Sequence, residues 1–145
     1  MKKVYLAGPL FSLAEKEFNV RLAKELYARL EDIEIILPQE RAKLFIHTED
    51  GMKKVFEDCL TMIEQSDVIL GVLEGPDADS GTCAELGFAY ARKKPIIGLR
   101  TDFRASEEKG LNLMLSNICT ILIHDASLDS VQLSDEVARA INALI

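Results

Sequence analysis

The sequence has no tryptophan, only three cysteines, two histidines and four prolines, and these scarcities remove whole classes of function. Cys59, Cys83 and Cys119 form no Cys-x-x-Cys pair and are odd in number. With only His47 and His124 beside them, no metal-ligand spacing appears. Buried thiols in a reducing compartment are the expectation. Long apolar runs are missing too: Val68-Ile69-Leu70-Gly71-Val72-Leu73 is typical of the longest and far too short to span a bilayer. Met1-Lys2-Lys3 leads straight into strand-like residues, without the apolar segment of a secretory leader. A cytoplasmic protein without membrane contact is expected. Basic clusters are also lacking. The 17 Lys and Arg are scattered among 24 Asp and Glu, for a net charge of −7 and a pI near 4.9. A nucleic-acid groove needs clustered cations to neutralise phosphates, so nucleic acid is not an expected partner. A neutral or cationic small molecule suits this balance.

What the chain does have is enough apolar matter for one core. Of its 145 residues 48% are apolar, with a mean hydropathy of +0.08, which fits a single domain over residues 1–145. No linker, low-complexity tract or internal repeat divides it. Strand-like and helix-like stretches alternate. Lys3–Ala7, Ile33–Leu37, Asp67–Leu73, Pro95–Leu99 and Cys119–Ile123 read as five strands. Ser12–Leu30 carries a helical apolar stripe, opened by a Ser12/Glu15 capping box. Glu40–Ile46, Met52–Gln65, Thr82–Arg92, a turn at Leu111–Ser116 and Ser130–Leu144 read as further helices, with Val55, Phe56, Cys59, Leu60, Met62 and Ile63 facing inward. Glu74–Gly81 and Arg100–Gly110 read as polar and charged loops. Right-handed crossovers then give an α/β three-layer sandwich, a flavodoxin-like five-stranded parallel sheet in the order 2-1-3-4-5. In that order, ligands bind at the carboxyl edge between strands one and three, where Ala7–Phe11 and Glu74–Glu85 lie.

The second of those segments, Gly75-Pro-Asp-Ala-Asp-Ser-Gly-Thr-Cys-Ala-Glu85-Leu-Gly87, holds three carboxylates: Asp77, Asp79 and Glu85. An ionised carboxylate near a helix N-terminus is favoured by the dipole and free N–H groups, and beside a cleft it can attack an electrophilic sugar carbon. Local spacing leaves a structural alternative open. Thr82-x-x-Glu85 is also a capping box, and Asp77 and Asp79 are ordinary turn formers. Gly81 and Gly87 permit close approach of backbone to a ligand or a second element.

The sequence resembles the nucleoside 2-deoxyribosyltransferase family along nearly its whole length. The likeness is carried by Val4-Tyr5-Leu6-Ala7-Gly8-Pro9-Leu10-Phe11, Ser66-Asp67-Val68, Gly75 through Ala89, Lys94-Pro95 and Asn112-Leu113-Met114. By position, the resemblance makes Glu85 the nucleophile that forms a glycosyl ester at C1′. It makes Tyr5 the phenol that orients that carboxylate, and Asp79 the group that contacts the base and shuttles its proton. Phe11 becomes a wall of the base pocket, and Gly8 and Gly81 lie against the substrate. Asn112 reaches a neighbouring subunit's site to bind the 5′-hydroxyl, which implies a homo-oligomer, a dimer or a hexamer. No cofactor and no metal is implied; the partners are a 2′-deoxynucleoside and a free purine or pyrimidine base. One position departs. Many members carry Asp or Asn eight residues before the position of Asp67, where this chain has Cys59 with Asp58 beside it; Asp77 is then expected to supply part of the base contact.

The implied reaction is a double displacement with retention of configuration. Its rival is a hydrolase of 2′-deoxynucleoside 5′-monophosphates, whose members tend to place Ser at the positions of Asp79 and Asn112. An Asp beside a phosphate dianion is repulsive and Asn suits a neutral hydroxyl, which favours the transferase. Arg100 and Arg104 are the rival's phosphate candidates. A non-enzymatic nucleotide-binding domain is the third reading, although no Gly-x-Gly-x-x-Gly follows the first strand.

Overall fold

The computed structural model describes residues 1–104 and 110–145. Five strands, β1 (Lys2–Ala7), β2 (Ile33–Ile36), β3 (Val68–Val72), β4 (Ile96–Arg100) and β5 (Ile121–His124), alternate with α1 (Leu13–Tyr27), α2 (Pro38–Ala42), α3 (Gly51–Gln65), α4 (Ser80–Ala91), α5 (Leu113–Ile118) and α6 (Ser130–Asn142). All neighbouring strands pair in parallel, in the order β2-β1-β3-β4-β5. The flavodoxin-like sandwich read from the alternation is therefore the fold.

Strand chemistry explains the layering. Every residue of β3 and β4 is buried, as expected of parallel strands covered on both faces. The side chains divide by parity. Val4, Leu6, Leu70, Val72, Ile97 and Leu99 pack beneath α1 and α6. Tyr5, Ala7, Ile69, Leu73 and Ile96 face Ile63 of α3, Leu86 of α4 and Leu115 of α5. Burial of each large aliphatic side chain contributes roughly 1.5–3 kcal/mol. That puts Tyr5 on the same side as α3 and α4.

Several boundaries differ from those expected. The Ser12/Glu15 capping box forms, but α1 ends at Tyr27 rather than Leu30. Pro38, with its preset φ, starts α2 at once, instead of a helix over Glu40–Ile46. Helix α4 starts at Ser80, not Thr82, because Asp79 takes the N-cap: its Oδ2 accepts from Thr82 N at 2.8 Å and Thr82 Oγ1 at 3.0 Å. The Thr82/Glu85 box therefore does not form. Phe56, expected inward, is 61% exposed. Arg100, expected to open a charged loop, ends β4 and is buried; residues 105–109 of that loop lie outside the described residues.

Candidate active site

At the carboxyl edge of the sheet, β1 turns off toward α1 while β3 runs on to α4. The crevice between them is bounded by the Gly8–Pro9 turn and the Glu74–Asp79 segment. The turn is tight against the neighbouring strand. A Cβ on Gly8 would meet Val72 Cβ at 3.0 Å and Asn19 Oδ1 at 3.6 Å. Asn19, almost fully buried on α1, donates from Nδ2 to Pro9 O at 3.0 Å and to Gln39 Oε1 at 3.1 Å, so it pins the turn from below.

Inside the crevice, wholly buried Tyr5 of β1 meets Glu85 from the second turn of α4. The Tyr5 hydroxyl donates to Glu85 Oε1 at 2.7 Å. Cys59 of α3 lies beside both groups, near enough to act on the charge of each. Burial pushes the Glu85 carboxyl from 4.5 up to about 7, with the Asp79 charge adding to the rise; the Tyr5 hydroxyl and Cys59 thiol work against it. The expectation that the helix terminus holds Glu85 ionised is thus overturned. Glu85 stands beyond the first turn and its unpaired N–H groups, and desolvation outweighs the dipole. Burial, then the Glu85 charge, raises Tyr5 well above the usual phenol range, so it stays a hydroxyl donor at every working pH. Burial likewise raises Cys59, Cys83 and, to about 11, Cys119. A half-buried carboxyl pushed up to about 7 and held by one phenolic donor is a candidate acid or nucleophile.

The other residues singled out from the sequence are distributed around this pair. Asp79 caps α4 and is close enough to raise Glu85. Asp77 is exposed on the loop. Gly81 is exposed at the start of α4, where an added Cβ would meet Asp79 Oδ2 at 3.2 Å, and at Gly87 it would meet nothing within 4 Å, so among the described residues neither glycine serves close packing. Phe11, 72% exposed, stands at the rim of a groove of about 1080 Å³ that Leu10, Val20, Ile46 and Met52 also line. A second concavity, of about 710 Å³, lies at the opposite edge of the sheet among Lys93, Pro95 and Asn117. The Tyr5–Glu85 pair lines neither. Its chemistry, not the volume of these hollows, makes it the candidate site, and Phe11 lines the larger hollow apart from it. Asn112 is exposed and caps α5, with Oδ1 accepting from Met114 N at 2.9 Å. Asp58 pairs with Arg41 at 2.5 Å. Arg104 pairs with Asp102. Among the described residues no cluster of three or more His, Cys, Asp or Glu could hold a metal, and no helix is long and apolar enough to cross a membrane.

Sequence reasoning missed Asn19, and it set Arg100 in a charged loop as a phosphate candidate rather than in the buried place it takes at the end of β4. Arg100 donates from Nη1 to Leu73 O at 2.6 Å and to Gly75 O at 2.9 Å. Asn19 Oδ1 and Arg100 Nε and Nη2 are the buried side-chain polar atoms without a hydrogen-bond partner among the described residues. Each such atom costs on the order of 1–3 kcal/mol. The available signals were a polar residue inside the α1 stripe and a cation ending the apolar run Ile96-Ile97-Gly98-Leu99.

The model of the nucleoside 2-deoxyribosyltransferase family matches residues 4–114. An uncharacterized protein of Ureaplasma parvum serovar 3 is 30% identical over 140 aligned positions, covering 84% of each chain. A 2-deoxyribosyltransferase from Leishmania mexicana superposes with a TM-score of 0.67 at 25% identity, covering 97% of this chain and 96% of that one. One from Bacillus psychrosaccharolyticus gives 0.71 at 22% identity, over 90% and 95%. A CMP N-glycosidase of Clostridium botulinum gives 0.61 at 18% identity, over 97% and 99%. The last two likenesses speak to fold alone, and the fold is common to transfer and hydrolysis.

Proposed function

The chain belongs to the nucleoside 2-deoxyribosyltransferase family, and on that premise we propose that it exchanges the base of 2′-deoxynucleosides with Glu85 as nucleophile. The ionised Glu85 carboxylate attacks C1′ as the C1′–N bond breaks, and the base leaves with a solvent proton relayed through Asp79. A deoxyribosyl ester of Glu85 remains. A second base attacks C1′ from the vacated face, Asp79 takes back a proton, and two inversions give net retention. Water in place of that base gives slow hydrolysis.

The observation that carries this reading is the 2.7 Å Tyr5–Glu85 contact at the carboxyl edge. It fixes one carboxylate oxygen, leaves the other for attack, and holds a group that titrates near neutrality. Phe11 walls the base, Asp77 adds a polar contact to it, and Gly8 and Gly81 bring backbone close to the substrate. Asn112 binds the 5′-hydroxyl in a neighbouring copy's site. Exposed Met52, Phe56, Tyr90 and Met114, all on helices of the α3–α5 side, suit such a homo-oligomer. Hydrolysis of monophosphates would need a phosphate site, and of its two candidate cations Arg100 is buried against main-chain carbonyls and Arg104 pairs with Asp102.

The test is chromatography of deoxyinosine and adenine incubated with the wild type and with Glu85→Ala. Deoxyadenosine and hypoxanthine from the wild type, with neither from the variant, is the expected result. Base release only from deoxynucleoside monophosphates would replace transfer by hydrolysis. Silence with both substrates would leave a binding domain.

A further inference from the structure

The largest wholly buried side chain among the described residues is a cation, Arg100, only 1% exposed. Burial of a guanidinium is costly unless it is well paired. Among the described residues no carboxylate takes its hydrogen bonds; Asp102 only feels its charge. What the guanidinium does is bridge two main-chain carbonyls across the strand gap, Leu73 O at 2.6 Å and Gly75 O at 2.9 Å. These are the carbonyls of the chain as it leaves β3, where Gly75 takes φ +102°. Next to this bridge, a second latch runs the other way: Glu74 Oε1 accepts from Thr101 N at 2.6 Å and from Thr101 Oγ1 at 2.7 Å. The exits of β3 and β4 are therefore locked together. Directly beyond the lock come Asp77 and Asp79, and Asp79 caps the helix that carries Glu85.

An apolar side chain would fill the same space without the orphaned Nε and Nη2. It would leave the Leu73 and Gly75 carbonyls without their bridge. The cost is borne at one place, the root of the acidic segment. We infer that Arg100 is a positioning residue for the proposed transfer: by bridging the Leu73 and Gly75 carbonyl oxygens it fixes the path of residues 75–79 and so the placement of Asp79 over the reacting base. Its catalytic consequence rests on the proposed function, but the clamp itself does not.

Arg100→Met and Arg100→Lys test it through two independent readouts. In Arg100→Met, amide hydrogen exchange at residues 77–82 should quicken about ten-fold or more, while β1 and α6 stay within about two-fold of wild type. Base-exchange kcat should fall about 30-fold or more with KM changed by less than about three-fold, since misplacement of a reacting group by an ångström costs on that order. Arg100→Lys, whose single ammonium lacks the planar fork, should fall between; it also decides the matter if the Met variant does not fold. Even quickening of exchange across the whole sheet, unchanged exchange at 77–82, or an unchanged kcat would each overturn the inference. Absence of base exchange in the wild type would sink the proposed function, and the exchange map would still judge the clamp.

Discussion

Glu85→Gln should make the protein more stable as the pH rises, with no gain in acid. The Glu85 carboxyl titrates at about 7 in the folded chain against an ordinary 4.5. The folded value is the higher one, so its contribution to stability is fully present below about pH 4.5. It is lost as pH rises to 7, because unfolding lets the carboxyl ionise in water. The difference between 4.5 and about 7, at about 1.36 kcal/mol for each pH unit, corresponds to about 3 kcal/mol at pH 8.5. Gln keeps an oxygen that accepts the Tyr5 hydroxyl and never ionises, so the penalty disappears with the charge alone. Urea unfolding of both proteins at pH 4.5, 6, 7.5 and 8.5 measures the gap directly. It should grow from near zero to about 3 kcal/mol, or roughly 10 °C in Tm. A gap equal at pH 4.5 and pH 8.5, or a wild type more stable than the variant at pH 8.5, would refute the claim that desolvation dominates this carboxyl.

Tyr5→Phe removes the hydroxyl that favours the ionised carboxylate, so the acid limb of kcat/KM should move to higher pH and kcat should drop by about ten-fold or more. Rate profiles from pH 5 to 9 decide it, and an unmoved limb would mean that the phenol does not tune Glu85. Asp79→Ala should lose the α4 cap and about 1 kcal/mol of stability, whereas Asp79→Asn keeps the cap within about 0.5 kcal/mol. Both should lose about 10²-fold or more in base exchange; an active Asn variant would reduce Asp79 to a helix cap.

The sheet was legible because its signals are local. An apolar run such as Val68–Val72 names a buried strand on its own, and five such runs separated by amphipathic stretches leave one common topology. The topology then points to the crevice without any knowledge of side-chain contacts. The start of α4 was not legible, because Asp79 and Thr82 are both competent caps and only packing chooses between them. Thr82 is buried when the helix starts at Ser80, and its N–H and hydroxyl are both answered by Asp79. Arg100 was misread for a related reason. A cation after an apolar strand ordinarily marks the way into solvent, and what buries this one is a pair of carbonyls more than twenty residues earlier in the chain. The titration of Glu85 depends on β1 and α3, so no reading of its own helix could supply it.

Those failures fall at one edge of the molecule, and this is an argument about function in itself. Where sequence rules and structure agree, in the apolar side chains of the strands and of the inner faces of α1 and α6, the residues fill the core. At the carboxyl edge the chain keeps an acid that burial disfavours and, among the described residues, a guanidinium with two unanswered donors and an amide with an unanswered acceptor. Arg100 and Asn19 hold the two segments that bound the Tyr5–Glu85 crevice. Local rules broken together, at the place where the topology seats a ligand, are the mark of a site maintained at the expense of stability. The well-packed remainder of the sheet is what allows it.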